Sequence, residues 1–376
     1  MATPIRTSPA TPSTAMPPPP MHDIEAAPLP DRYARGWHCL GLADSFRDGE
    51  PHGVSAFGTR IVVFEGEDGT LRAINAWCPH MGADLSIGRI EGNRVVCRFH
   101  GWGFDGDGAC KNIPYSKTIP PKARVRSWPL LERNRLLFVW HDAEGGAPTD
   151  DVAIPELESI GSPEWSDWSL SQWVIDNNCR ELVDNLADLA HFGPVHGSSN
   201  VKYFANIFEG YRATQVMVGI NERLGGTRNH LTTIATYYGP ACLFCRMTGE
   251  AEGLPVESIL LVTNLPIDQQ HFQLGFGVMV KRIPALNDEQ NAAMVKQYTD
   301  LTIQAFTEDV AIWHNKIRID NPLLCAGDGP INQLRDWYAQ FYADAAEVPP
   351  QLSERRVVEI DLGLDRHPEL RHAFAV

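Results

Sequence analysis

The chain has 376 residues, of which 43% are hydrophobic, enough for two domains with separate cores. Its formal net charge of −15 disfavours nucleic acids and anionic membrane surfaces as partners. The longest apolar runs, such as residues 136–140 and 259–262, have the length of strands and cannot cross a bilayer. Eight cysteines without a secretory signal predict a reducing, cytoplasmic location.

The first part of the chain divides into a tail and a β-rich domain. Residues 1–30 are rich in Pro, Thr, Ser and Ala and lack the apolar segment of a signal peptide, so they predict a disordered tail. From about residue 33 onwards, short β-like runs alternate with turn signals such as Asp68-Gly69. This pattern predicts a small antiparallel β domain over residues 31–150.

Two short loops in this domain each offer one cysteine and one histidine: Cys78 precedes His80, and Cys97 precedes His100. A Rieske 2Fe-2S cluster uses this donor set, because two thiolates hold one iron and two imidazoles hold the other. These four residues therefore predict a Rieske cluster. A structural zinc site is the alternative, although zinc loops usually pair Cys with Cys and His with His.

Residues 180–197 have the periodicity of an amphipathic helix. One stripe of this helix is polar and consists of Asp184, Asp188 and His191. Gly193-Pro194 then breaks the helix, which could let the imidazole of His196 converge with that of His191. Two histidines and one carboxylate are the ligands of non-haem Fe(II) oxygenases. An ordinary helix with a solvated acidic face is the alternative.

A carboxylate for this second site is found much later in the chain, in a helical pattern over residues 301–320. Asp309 shares one face of this helix with Phe306 and Trp313. Its neighbour Glu308 points about 100° away, so it is the second choice. His191, His196 and Asp309 therefore predict a mononuclear iron site.

The remaining pattern mixes strands and helices. Residues 257–264 and 271–281 predict strands, whereas residues 288–320 and 333–345 predict helices. We therefore expect an α+β catalytic domain over residues 151–376, in which helices cover an antiparallel sheet. The aromatic residues that could line its pocket, or could simply belong to its core, are Tyr203, Phe204, Phe208, Trp313 and Trp337.

The two candidate sites resemble those of the terminal oxygenase components of Rieske non-haem iron oxygenases, in which CxH and CxxH loops precede a D-x2-H-x4-H motif. That motif reads DLAHFGPVH here. More narrowly, from about residue 32 to 346 the chain resembles the oxygenase subunit of 3-ketosteroid 9α-hydroxylases. The segments that carry this resemblance are YARGWHCLG, PHGVSAFGT, LLFVWHD, NCRELVDNLADLAHF, EDVAIWHNKIRIDNPLL and QLRDWYAQFYAD.

This resemblance implies a helix-grip catalytic domain and a head-to-tail homotrimer. It also implies that Asp188 does not bind iron, but bridges a cluster histidine of one subunit to an iron-binding histidine of its neighbour. The implied reaction is the hydroxylation of a steroid by O2, a step of steroid metabolism and lipid degradation. Electrons would come from NADH through a separate reductase that contains flavin and an iron-sulfur centre.

Two other functions remain open at the level of sequence. A steroid or sterol desaturase, or a hydroxylase that acts at another carbon, would carry the same motifs. A Rieske-type electron carrier without oxygenase activity would need only the first domain, so the second histidine pair and the extra two hundred or so residues count against it.

Overall fold

The computed structural model describes residues 21–26, 28–197, 200–220, 230–251, 254–325 and 327–362. Over these residues the chain forms antiparallel sheets with a few helices, which confirms the predicted α+β class. No sheet in the described part pairs a strand before residue 150 with a strand after it. The exact domain boundary stays a prediction.

The N-terminal half contains three small sheets, with strand orders β1-β11-β10, β2-β3-β4-β9 and β5-β6-β7-β8. Their strands are β1 (Gly36–Leu42), β2 (His52–Ala56), β3 (Thr59–Glu65), β4 (Leu71–Asn75), β5 (Arg89–Glu91), β6 (Arg94–Val96), β7 (Gly103–Phe104), β8 (Cys110–Asn112), β9 (Ser127–Trp128), β10 (Leu130–Arg133) and β11 (Leu136–His141).

The C-terminal half is built on one sheet of eight described strands in the order β12-β18-β17-β16-β15-β14-β13-β19. The strands are β12 (Ser169–Ile175), β13 (Asn200–Glu209), β14 (Arg212–Ile220), β15 (His230–Tyr238), β16 (Cys242–Ala251), β17 (Leu254–Pro266), β18 (Phe272–Val280) and β19 (Arg356–Asp361). The helices are α1 (Cys179–Val183), α2 (Asp288–His314) and α3 (Ile331–Ala339).

Helix α2 covers this sheet and is shorter than the predicted helix over residues 288–320. It begins in a capping box, in which Asn287 and Gln290 exchange side-chain and backbone hydrogen bonds. It ends at His314 because the amide of Asn177 donates to the carbonyls of Trp313 and Lys316, at 3.0 and 2.7 Å. These bonds satisfy carbonyl groups that a longer helix would have paired internally.

The predicted helix over residues 180–197 is also interrupted. Helix α1 ends at Val183, and two short 3-10 turns follow, over residues 184–186 and 190–192. The cause is a contact with β13, since the side chain of Asn206 donates to the carbonyl of Leu186 at 2.9 Å and so takes an acceptor that a continuous helix would use. The helix is therefore interrupted before Gly193-Pro194, the pair that was expected to break it.

Part of the predicted tail packs against the C-terminal half. Ala26 forms a β-bridge with Ile319, and the side chain of Asn321 accepts from the backbone of Glu25 and donates to that of Asp23, at 3.0 and 2.9 Å. Residues 1–20 of the predicted tail lie outside the described residues.

Asp184, which was expected on the same stripe as Asp188 and His191, instead forms a buried ion pair with α3. Arg335 donates from Nε and from a terminal nitrogen to its two carboxylate oxygens, at 3.1 and 2.6 Å. The side chains are 9% and 15% exposed, respectively. The pair ties the interrupted segment to α3.

We expect Asp184→Ala to lower the free energy of unfolding by about 3–5 kcal/mol, because it leaves the Arg335 guanidinium buried without its partner. Chemical denaturation followed by tryptophan fluorescence measures this change. Asp300→Ala, which removes the exposed partner of Lys296 on α2, is the control and should unfold like the wild type. Equal midpoints for the two variants would contradict the role of the buried pair.

Candidate metal centres

The two loops that carry Cys78 and Cys97 have the same backbone turn. Gly82 donates its backbone N–H to the carbonyl of Cys78 at 2.8 Å, and Gly101 donates to that of Cys97 at 2.9 Å. Both glycines adopt positive φ angles, +76° and +73°, which other residues rarely adopt. Each cysteine is thereby held by a closed turn that fixes the direction of its side chain.

The two predicted histidine ligands lie beside each other, and so do the two predicted cysteine ligands. The Nδ1 atoms of His80 and His100 are 3.2 Å apart, and both cysteine side chains are buried. Burial raises the pKa of Cys78 to about 11, and the nearby thiol of Cys97 also raises it. Two neighbouring thiols and two neighbouring imidazole nitrogens, with one of each from either loop, form a donor set that fits a Rieske cluster. Each loop contributes one cysteine and one histidine, whereas the loops of structural zinc sites usually pair Cys with Cys and His with His.

Aromatic side chains cover one side of this donor set. The indole of Trp102 stacks on the imidazole of His80, with ring centres 4.6 Å apart and planes at 11°. Its Nε1–H donates to the hydroxyl of Tyr115 at 2.8 Å, which fixes the orientation of the indole. The exposed apolar side chains next to the loops are Trp77, Met81, Phe99 and Tyr115.

The second predicted ligand set also converges. One potential ligand atom from each of His191, His196 and Asp309 lies within 4.8 Å of the others, and this is the only such set of three or more that the described residues contain. Nε2 of His196 is 3.2 Å from a carboxylate oxygen of Asp309, which is buried. Two imidazoles and one carboxylate on one side of a cavity fit Fe(II) with open positions.

Asp188 determines the orientation of His191. Its carboxylate accepts from the backbone N–H groups of Ala190 and His191, at 3.1 and 3.3 Å, and so begins the turn that carries this histidine. Nδ1 of His191 donates to the backbone carbonyl of Asp188 at 2.7 Å. A carbonyl can only accept, so in the neutral imidazole the proton lies on Nδ1 and Nε2 is available to a metal.

Asp188 and His191 shift each other's pKa values. Burial alone would raise the pKa of Asp188, but its hydrogen bonds and charge interaction with His191 lower it. Burial likewise would lower the pKa of His191, but Asp188 and the charge of Asp309 raise it. A cation at this position would therefore be attracted by two carboxylates, one of which, Asp309, is among the candidate ligands.

A cavity of about 430 Å³ opens beside the three candidate ligands, and all three line it. Its volume lies within the range of about 300–1,000 Å³ for small-molecule sites. The walls come from α2, from β14 to β18 and from the interrupted segment. They are mainly apolar, with side chains such as Leu182, Leu186, Met217, Leu243, Met247, Leu260, Val262, Phe276, Phe306 and Trp313.

Of the five aromatic residues considered for the pocket wall, only Trp313 lines this cavity. Phe204, Phe208 and Trp337 are buried elsewhere, and Tyr203 is also absent from the wall. Sequence reasoning missed the cavity-facing strand residues Gln215, Thr233 and Cys245. Alternation along β14, β15 and β16 could have identified a face, but not whether that face met helix or cavity.

Comparisons with known proteins agree with this arrangement. Residues 36–129 match the Rieske (2Fe-2S) domain, and residues 139–342 match the 3-ketosteroid 9alpha-hydroxylase C-terminal domain. Together with the two donor sets, these matches define the class of the protein as a Rieske-type oxygenase. Within this class, the chain belongs to the family of the oxygenase components of 3-ketosteroid-9-alpha-monooxygenase.

Two relatives show this membership. An oxygenase component of 3-ketosteroid-9-alpha-monooxygenase from Rhodococcus rhodochrous is 44% identical over 350 residues, which cover 91% of this chain and 88% of the relative. One from Mycobacterium tuberculosis is 42% identical over 348 residues, covering 91% of this chain and 90% of the relative. The predicted family is therefore confirmed.

A solved structure shows the same fold at lower sequence identity. Dicamba monooxygenase bound to 3,6-dichlorosalicylic acid is 21% identical, with a TM-score of 0.69, and the match covers 84% of this chain and 99% of that one.

Within the described residues, no helix is both long and apolar enough to span a membrane.

We expect Asp309→Ala to remove mononuclear iron while the visible spectrum of an iron-sulfur cluster remains, because only one of the two donor sets loses a ligand. Metal analysis and absorption spectroscopy of the purified variant measure both. Glu308→Gln is the matched control, since Glu308 also lines the cavity but lies outside the three-residue set, and it should keep its iron. Iron loss in the control alone would reverse the assignment.

We expect His80→Ala to lose the iron-sulfur absorption and its electron paramagnetic resonance signal, since the donor set is then incomplete. Circular dichroism should show a folded protein. His52→Ala, on β2 and outside both donor sets, should keep the full spectrum. An unchanged cluster signal in His80→Ala would exclude this histidine as a ligand.

Proposed function

We propose that the chain is the oxygenase component of a monooxygenase that hydroxylates a 3-ketosteroid at the 9α position, with O2 and with electrons from a separate NADH-dependent reductase. The observation that carries this proposal is the presence of two different iron donor sets in one chain, one of which opens into an apolar cavity. The named activity of the 42–44% identical relatives supports the choice of substrate.

In this proposal, Cys78, His80, Cys97 and His100 hold a Rieske cluster, and His191, His196 and Asp309 hold Fe(II). When bound, the two centres supply single-electron transfer and activation of O2, respectively. The side chains of the first set are held by rigid turns, so little rearrangement is needed on a change of charge. The second set comes from two separate segments, which leaves one side facing the cavity.

The cavity residues bind and orient the substrate. Its aliphatic and aromatic walls favour an apolar molecule, because burial of apolar surface is the main favourable contribution available there. A bound steroid would exclude water from the side of His191, His196 and Asp309 that faces the cavity. Exclusion of water would link the reaction to the presence of substrate and limit side reactions.

We further propose that Asp188 links the two metal centres of neighbouring subunits in a homotrimer. Its backbone carbonyl already orients His191, and its carboxylate is partly exposed. The exposed apolar side chains beside the cluster loops support a covering surface on a second copy. Residues 77–126 carry eight Lys and Arg against four Asp and Glu, whereas the whole chain is acidic, so another copy offers complementary charge.

The reductase and the cellular location also belong to the proposal. The one GxGxxG match in the sequence, residues 101–106, lies beside the second cluster loop and leads into strand β7 rather than a helix, so it is not a dinucleotide-binding motif. The sequence contains no second iron-sulfur motif, so flavin and NADH are assigned to a separate protein that also carries an iron-sulfur centre. A cytoplasmic location, where cysteines remain reduced and NADH is present, suits both proteins.

The test combines the purified protein, a reductase and NADH with a panel of 3-ketosteroids under isotopically labelled O2. We expect steroid-dependent O2 uptake and one labelled oxygen atom in the product, measured by mass spectrometry. Reactions without steroid should consume little O2. A dehydrogenated, unlabelled product would instead identify a desaturase, and reduction of the protein without any steroid-dependent O2 uptake would identify an electron carrier.

We expect Asp188→Asn to keep both metals and the fold but to lower turnover by about 10- to 100-fold, because the amide oxygen can still cap the turn whereas the negative charge beside His191 is lost. Steady-state O2 uptake and metal analysis measure the two effects. Asp44→Asn, at an exposed acidic position, is the control. Normal coupled turnover in Asp188→Asn would contradict the proposed link.

A further inference from the structure

One polar side chain in the wall of the cavity has no hydrogen-bond partner. Thr233 on β15 is 6% exposed and lines the cavity, and its hydroxyl oxygen is buried and unpaired. Among the described residues it is the only one that combines a place in this wall with a buried, unpaired side-chain oxygen or nitrogen. Buried polar groups are nearly always satisfied in folded proteins, so this hydroxyl requires an explanation.

The neighbours of Thr233 on the sheet do not satisfy it. Thr233 lies opposite Met217 on β14 and Met247 on β16, and both line the cavity. Thioether sulfurs are weak acceptors. The next position in this row is Ser258, whose hydroxyl is already bonded to that of Tyr298 at 2.8 Å. The protein therefore leaves the hydroxyl of Thr233 without a strong partner, while the nearby polar pair is complete.

One end of this row of side chains lies far from the candidate iron ligands. It reaches Tyr298, which lies eleven residues before Asp309 on α2, about 16 Å along the helix axis at about 1.5 Å per residue. Both residues line the cavity. An elongated substrate with its reacting carbon beside Asp309 would therefore extend along the wall that carries Thr233.

We propose that Thr233 is a specificity-determining residue whose hydroxyl donates a hydrogen bond to a ketone oxygen of the substrate, at a position remote from the carbon that reacts. This inference rests on the proposed function and adds the residue that recognises the substrate: a hydroxyl donor in the cavity wall that pairs with a carbonyl oxygen near one end of an elongated, apolar molecule. Because its oxygen is buried, the hydroxyl would reach the ligand by rotation about χ1 to another staggered rotamer. A site that hydrogen-bonds such an oxygen discriminates against analogues that lack it.

The test measures binding rather than turnover. Titration calorimetry of the metal-loaded protein gives the Kd for a steroid with ketones at both ends, and for two analogues that each lack one of the carbonyl oxygens. The variant is Thr233→Val, which removes the hydroxyl with little change of shape. The matched control is Thr232→Val, the same substitution at the next position of β15, where side chains point to the opposite face of the sheet.

We expect the wild type and Thr232→Val to bind one of the two analogues about 3- to 10-fold more weakly than the diketone, the effect of one neutral hydrogen bond. Thr233→Val should bind the diketone as weakly as the wild type binds that analogue, and should no longer distinguish the two ligands. Thr233→Ser should restore the discrimination. Without steroid, Thr233→Val should have an equal or higher Tm, because an unpaired buried hydroxyl has been removed.

Discrimination by Thr233→Val equal to that of the wild type would overturn the inference while leaving the proposed function intact. A lower Tm of Thr233→Val without steroid would also overturn it, because the hydroxyl would then have a partner within the protein. Failure of the wild type to bind any of the three steroids would overturn the proposed function itself, and the inference with it.

Discussion

The hydrogen bonds of Asp188 hold the turn on which the candidate iron site depends. Its carboxylate caps the turn, and its backbone carbonyl binds Nδ1 of His191, which leaves Nε2 as the ring nitrogen available to a metal. This arrangement is possible only because the preceding helix ends early, where Asn206 takes the carbonyl of Leu186. The local geometry of the site is therefore a consequence of packing between this segment and the sheet.

The candidate ligands of the other donor set are also oriented by contacts with the surrounding protein. There, two closed turns with glycines at positive φ hold the cysteines, and an indole stacked on His80 restricts one imidazole. Both sites thus use backbone groups and neighbouring side chains to orient the candidate ligands, which restricts their conformational freedom. The cavity lies beside only one of them, and this separates the proposed site of chemistry from that of electron transfer.

Sequence reasoning was strongest where the chemistry of the residues was unusual. The mixed Cys and His loops and the choice of Asp309 over Glu308 followed from residue type and helical spacing. In the structure the two histidines of the first set lie together, as do the three residues of the second. It failed where tertiary contacts decide the outcome. Helical periodicity placed Asp184 with Asp188, but the partner of Asp184 lies 151 positions away in α3, and no local pattern specifies such a pair.

The central claim is that one chain holds two different iron centres. The most direct test is the iron and acid-labile sulfide content of anaerobically purified protein, together with Mössbauer spectroscopy to separate the iron environments. A two-iron, two-sulfide cluster plus a single Fe(II) predicts about three irons and about two sulfides per chain, in two spectroscopically distinct environments. A colourless protein that contains zinc and no sulfide would contradict the account.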